Sequence, residues 1–156
     1  MKFRLPILLV SAVLLLLSCD KDTFETKPAI SLKSLSATTV RSGGLFSITM
    51  EYTDKEGDLT DSIYMMMEVL NQSAVGEAWQ FNPLRYKVPT FPPSPKGEIT
   101  ANFRINSSPD VYETNLPLFA NPNSSENDTV NFKIWVRDAA QNYSDTITIE
   151  QVVFVR

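Results

Sequence analysis

Four stretches of the chain alternate apolar and polar residues with a period of two, the pattern of a strand with one buried face. Phe46, Ile48, Met50 and Tyr52 share a face, opposed by Ser47, Thr49, Glu51 and Thr53. Ile99, Ala101, Phe103 and Ile105 alternate in the same way with Thr100, Asn102, Arg104 and Asn106. Phe132, Ile134 and Val136 alternate with Lys133, Trp135 and Arg137, which turns Trp135 away from the apolar set. Ile147 and Ile149 are flanked by Thr146, Thr148 and Glu150. Beyond Glu150 the pattern slips. Gln151 falls on the face of Ile149, while Val152 and Phe154 fall on the other. That slip requires either a bulge or two covered faces.

Three less regular segments complete the set. Ile30-Ser31-Leu32 opens it, Ile63 to Leu70 is apolar on both faces, and Trp79 to Val88 is aromatic-rich. Pro83 interrupts the last of these, which predicts an edge strand or a bulge. No helix-period segment follows the N-terminal apolar run. Seven strand candidates over residues 29–156, separated by turn-rich loops, predict a single all-β domain, an immunoglobulin-like sandwich of about seven strands. A jelly roll or a small barrel fits the same alternation. Two long loops stand out. The one from Pro89 to Gly97 is stiffened by prolines and polyproline-like, and the one from Asn121 to Asp128 is polar enough to be exposed and mobile.

The N-terminus has a different texture. Lys2 and Arg4 precede a run from Leu5 to Leu17 broken only by Pro6 and Ser11, and Ser18 places a small residue before Cys19. A helix needs about 20 apolar residues to cross a bilayer, so this shorter run is a secretory signal rather than a span. Cys19 is the sole cysteine. Exported domains usually carry cysteines in even number or none, so a single thiol at the end of a signal implies a covalent role there.

The order of charge, apolar run, small residue and cysteine resembles the lipobox of bacterial lipoproteins. That resemblance implies a signal peptide over residues 1–18 and lipidation of Cys19 by diacylglycerol and an acyl chain such as palmitate. Three chains exceed the two hydrophobic signals that stable anchoring takes. Asp20-Lys21-Asp22-Thr23-Phe24-Glu25 resembles the acidic export signal of surface lipoproteins in the Bacteroidetes phylum. It implies the outer membrane, with the face left open, whereas in enterobacteria Asp20 would imply retention at the inner membrane. Residues 19–28 then form the lipidated, acidic tether and 29–156 the domain. Within the domain, Tyr52-Thr53-Asp54-Lys55-Glu56-Gly57-Asp58-Leu59 resembles the acidic turn of cadherin-like and PKD-like bacterial modules. Val136-Arg137-Asp138-Ala139-Ala140-Gln141-Asn142-Tyr143-Ser144 resembles their last hairpin, with Gln141 where glycine is usual.

Composition narrows the chemistry. The net charge is −4, and loss of the segment holding Lys2 and Arg4 takes it to −6. An acidic chain lacks the footprint for nucleic acid and is repelled by anionic lipid, so the lipid anchor must hold it at a membrane. The chain has no histidine. That removes the commonest general base, the Ser-His-Asp and Cys-His arrangements and most zinc sites. No phosphate-binding glycine loop appears. The expectation is a non-catalytic binding or structural module at the cell envelope that takes a protein partner. A glycan-binding lipoprotein is one alternative and a carboxylate-dependent hydrolase another.

Three sets of residues carry candidate chemistry. Asp54, Glu56 and Asp58 alternate around Gly57, and calcium takes oxygens from closely spaced carboxylates in a turn. In an immunoglobulin-like topology this turn and the last hairpin lie at one end, which would bring in Asp138 and Asn142. The tether enters there too, so Asp20, Asp22 and Glu25 could approach; cadherin-like modules use such an arrangement with calcium. The same residues also serve as plain turn formers. Trp79, Phe81 and Trp135 are candidate binding aromatics, alongside Tyr86 and Phe91, with core packing the other use. Ser62, Thr129 and Thr146 each follow an Asp and precede an apolar residue, which resembles the O-glycosylation acceptors of Bacteroidetes. A turn Asp before a β-former gives the same pattern.

Overall fold

A computed structural model describes residues 24–59, 62–71, 83–88, 90–106, 115–117 and 125–156. Those residues form nine strands: β1 (Ala29–Leu35), β2 (Thr39–Arg41), β3 (Leu45–Thr53), β4 (Ser62–Val69), β5 (Leu84–Lys87), β6 (Lys96–Asn106), β7 (Asn115–Pro117), β8 (Asp128–Arg137) and β9 (Ile147–Val155). One sheet has the order β1-β3-β6-β7, the other β2-β9-β8-β4-β5. Pairing is antiparallel except for β2 on β9 and β7 on β6.

Alternation decides which residues face inward. On β3 the buried set is Phe46, Ile48, Met50 and Tyr52, and on β6 it is Ile99, Ala101, Phe103 and Ile105. The two strands run in unbroken register from Leu45 opposite Arg104 to Thr53 opposite Lys96. From the other sheet come Ile63, Met65 and Met67 of β4, and Val130, Phe132, Ile134 and Val136 of β8. The two sets meet ring to ring. Phe46 stacks on Phe132 with centroids 5.6 Å apart and meets Phe154 edge-on at 6.2 Å. Tyr86 of β5 meets Phe103 of β6 at 5.8 Å.

The seven anticipated strands correspond to β1, β3, β4, β5, β6, β8 and β9. The additions are β2 and β7, each three residues long and paired in parallel. Neither is long enough to display a period. β5 is an edge strand beginning directly after Pro83, as the proline requires. Asp128, assigned by its polarity to an exposed loop, instead begins β8 and is fully buried.

The slip after Glu150 is a bulge. Val130 pairs with Val152 and Phe132 with Ile149, so Glu150 and Gln151 together oppose the single Asn131. Gln151 takes φ 57°, and its N–H donates to Asn131 Oδ1 at 3.0 Å. The extra residue lets Ile149 and Val152 both face inward.

Phe132 touches the core phenylalanines Phe46 and Phe154, so its truncation should cost more than a peripheral change. Phe132→Ala is expected to destabilise by about 3–5 kcal/mol, read as a lower urea midpoint with an unchanged slope.

Candidate functional site

Four segments converge at one end of the two sheets. The lead into β1 arrives at Glu25, whose carbonyl accepts from Lys55 N–H at 3.2 Å. The turn after β3 is closed by Gly57 N–H donating to Asp54 C=O at 3.1 Å. The proline loop before β6 is pinned by Ser94 N–H on Gly57 C=O at 3.2 Å and by Asp54 N–H on Pro95 C=O at 2.9 Å. The β8–β9 hairpin joins through Ala139 N–H on Asp58 C=O at 3.2 Å. Gly57 is required twice over: it takes φ +67°, and a Cβ there would lie 2.6 Å from Ser94 N. Lys27 adds an ion pair to Asp145 at 2.5 Å, with the Asp145 side chain 93% exposed, worth at most about 1 kcal/mol.

Into this junction point the carboxylates of Asp54, Asp58 and Asp138, each offering an oxygen within 4.8 Å of the others. Asp54 is 0% and Asp138 1% exposed. Asp138 is held by Asn142, whose backbone N–H and Nδ2 donate to its two oxygens at 2.7 Å each. Asp54 Oδ2 accepts Asp58 N–H at 2.9 Å, while its Oδ1 is buried and accepts no hydrogen bond. Burial pushes the Asp54 carboxyl up to about 6, helped by the Asp58 carboxylate and the charge of Asp138; the Asp58 N–H works the other way. Gln141, in the same hairpin, adopts a left-handed conformation with φ 75°.

Of the anticipated cation ligands, Asp54, Asp58 and Asp138 come together and Asn142 braces Asp138. Glu56 does not join them. It is exposed, because the turn that buries Asp54 and half-buries Asp58 places the intervening residue outward. Asp20 and Asp22 lie outside the described residues, as do Cys19, Trp79 and Phe81. The trio does not suit a hydrolase: with Asp54 and Asp138 sealed from solvent, no scissile bond can enter between them.

A second arrangement lies on the outer face of the five-stranded sheet. Tyr64 of β4 sits opposite Trp135 of β8, and the half-buried rings stack with centroids 5.8 Å apart and planes 6° from parallel. Tyr143 leans on Tyr64 at 6.1 Å, and the Arg137 guanidinium lies 5.8 Å from the ring centres of both tyrosines. Only Trp135 of this group was singled out by sequence. Tyr64 left a trace as the apolar residue on the wrong face of β4. Tyr143 left none, because it lies outside the strands. Phe91, by contrast, packs on buried Tyr52 at 5.7 Å and serves the core.

The three Ser/Thr residues of the acceptor-like pattern sit in different surroundings. Ser62 is fully buried and its Oγ accepts from Arg85 Nε at 2.6 Å, which closes it to modification in the folded chain. Thr129 is half-buried and Thr146 exposed.

No family model and no curated protein matches the chain. Among solved structures, it is similar to the SrpA adhesin of Streptococcus sanguinis, at 20% identity and a TM-score of 0.36, over 86% of this chain and 59% of that one. A point mutant of the same adhesin matches at 20% identity and a TM-score of 0.33, over 85% and 58%. The chain thus spans less than two thirds of those proteins' length.

The Asp54 environment has a thermodynamic signature. The folded chain holds the Asp54 proton to about 6 and the unfolded chain only to 3.8, so the neutral carboxyl favours folding at low pH. That contribution is lost as pH rises through the folded value. In chelator, Asp54→Asn should match wild type near pH 4 and become the more stable of the two by pH 7. Paired melting curves across that range check it, and a gap that stays constant contradicts it.

Proposed function

We propose that the chain is a lipid-anchored cell-envelope module with an immunoglobulin-like sandwich, which binds a protein partner without catalysing a reaction. The observation that carries the binding reading is the Tyr64–Trp135–Arg137–Tyr143 cluster. Tyr, Trp and Arg are the residues that dominate binding energy at protein interfaces, where each rigid ring contributes large contact area at low entropic cost. The opposite outer face has no counterpart among the described residues. There Ser47 bonds Asn102 at 2.7 Å, Thr49 bonds Thr100 at 3.0 Å, and Lys33 joins Glu51 and Glu98.

Strand order supports the immunoglobulin-like reading. β1-β3-β6 and β9-β8-β4 take the places of the A-B-E and G-F-C strands, with β5 extending the second sheet. The anchor rests on sequence: the apolar run ending at Ser18-Cys19, and the acidic stretch behind it that favours the outer membrane. A glycan is the second reading, favoured by the parallel setting of Tyr64 and Trp135. Protein is preferred because the Tyr64 ring already has Trp135 stacked on it and Arg137 and Tyr143 close by, which leaves little flat ring for a sugar.

Two experiments test this. Expressed with its own signal in a Gram-negative host, the wild type should partition into detergent and incorporate labelled palmitate, and Cys19→Ser should do neither. An aqueous wild-type protein would end the anchor reading. Cross-linking in native envelopes should capture a protein partner whose affinity falls at least about 30-fold, or ~2 kcal/mol, in Trp135→Ala or Tyr64→Ala but not in Thr49→Ala. Capture unaffected by both aromatic variants would remove the docking surface. Trp135-dependent retention on glycans alone would select the second reading.

A further inference from the structure

We propose that Asp54, Asp58 and Asp138 bind one hard divalent cation of the calcium class, which fastens the lead into β1, the 54–58 turn, the proline loop and the β8–β9 hairpin to one another. This stands apart from the docking surface and does not depend on it.

Turn formation alone does not account for the geometry. An Asx-type turn needs one side-chain acceptor and no charge, so Asn would close the Asp54 turn through its bond from Asp58 N–H. What remains unexplained is Asp54 Oδ1, an oxygen at a fully buried residue with no hydrogen bond, set among two more carboxylates. Burying a carboxylate beside like charges is costly, and a cation removes both the desolvation and the repulsion.

The donor set selects the class of ion. All three ligands are carboxylate oxygens, the choice of calcium, magnesium or manganese rather than of metals that favour nitrogen or sulfur. Oxygens within 4.8 Å of one another match the span across a calcium ion, whose bonds are about 2.3–2.6 Å. Magnesium, with bonds of about 2.0–2.1 Å, would require the three carboxylates to draw closer and would keep several waters instead. Asn142 acts as a positioning residue: both its donors fix the Asp138 carboxylate, so it sets an oxygen without supplying one. The backbone bonds Lys55 to Glu25, Ser94 to Gly57 and Ala139 to Asp58 all leave from this junction, so an ion here restrains four segments distant in sequence.

The test uses the full chain, stripped with EDTA, and calcium chloride as the probe. Calorimetry should give one site of about 10⁻⁴–10⁻³ M, the range of extracellular calcium modules. At 10 mM calcium the melting temperature should rise by about 3–10 °C, with magnesium giving less than half of that. Amide exchange at Lys55, Asp58 and Ala139 should slow with calcium, while exchange in β3 and β8 stays the same. Asp54→Asn, which keeps the turn acceptor and so the fold, should lose at least nine tenths of the calcium affinity. The proposal is overturned by identical melting in EDTA and 10 mM calcium, by calcium stabilisation that survives in Asp54→Asn, or by exchange slowed elsewhere but not at these three amides.

Discussion

Phe46 lies against Phe132 and Phe154 at once, and that three-ring contact joins the two sheets. One ring comes from β3 and the other two from the neighbouring strands β8 and β9, so the contact fixes which faces look inward. With period-two alternation every other side chain is then assigned. Ser47 and Thr49 must face outward on one side, and Lys133 and Trp135 on the other. A slip of one residue in β8 or β9 would turn the whole apolar set into solvent. The bulge at Gln151 prevents that error, at a cost of about 1–2 kcal/mol for a non-glycine residue in the left-handed region. Ile149 and Val152 are buried because of it.

The two outer faces resolve different problems. Across β3 and β6, Glu51 sits directly opposite Glu98, a destabilising pair by itself. The register of β1 shifts between Leu32 and Ser34, and the extra residue, Lys33, meets both carboxylates, which hold its ammonium above the usual lysine value, Glu98 foremost. That face is closed on itself by ladders of hydroxyls and ions. On the other sheet, Tyr64 and Trp135 bury part of each ring against the other and leave the rest in water. Among the described residues, aromatic area is left half-covered on this outer face and not on the other, an asymmetry that suits the proposed docking surface.

The strands were legible because burial on one face writes a period of two into the residues, and β3, β6 and β8 each carry it for six residues or more. β2 and β7 were not, since three residues cannot display a period and parallel pairing to a distant strand leaves no local mark. The acidic junction was legible in part. Asp54 and Asp58 announce a turn, and topology alone brings Asp138 beside them. Which acid stays out was invisible, because Glu56 differs from its neighbours only in the direction the turn sends it. The aromatic cluster was the hardest to read. Trp135 breaks the apolar pattern of β8 cleanly, but Tyr64 hid inside a stretch apolar on both faces, and Tyr143 and Arg137 join through a hairpin whose geometry no periodicity encodes.

That hairpin belongs to both arrangements. Arg137 and Asp138 are adjacent, and consecutive residues leaving a strand project to opposite sides, so one reaches the tyrosines and the other the carboxylate junction. The turn between them is tightly specified. Asp138 C=O accepts Gln141 N–H at 3.2 Å, Asn142 C=O accepts Asp138 N–H at 3.1 Å, and Ser144 Oγ accepts Val136 N–H at 3.0 Å. Arg137 Nη1 donates to Gln141 Oε1 at 3.0 Å, which ties the same turn to the outer face. Any ligand that fixes the Asp138 carboxylate therefore also fixes the backbone from which Arg137 and Tyr143 depart. Rings and guanidinium held in advance lose less entropy on docking, so, under the two proposals, order at the acidic junction would favour binding at the aromatic face even though the two share no side chain.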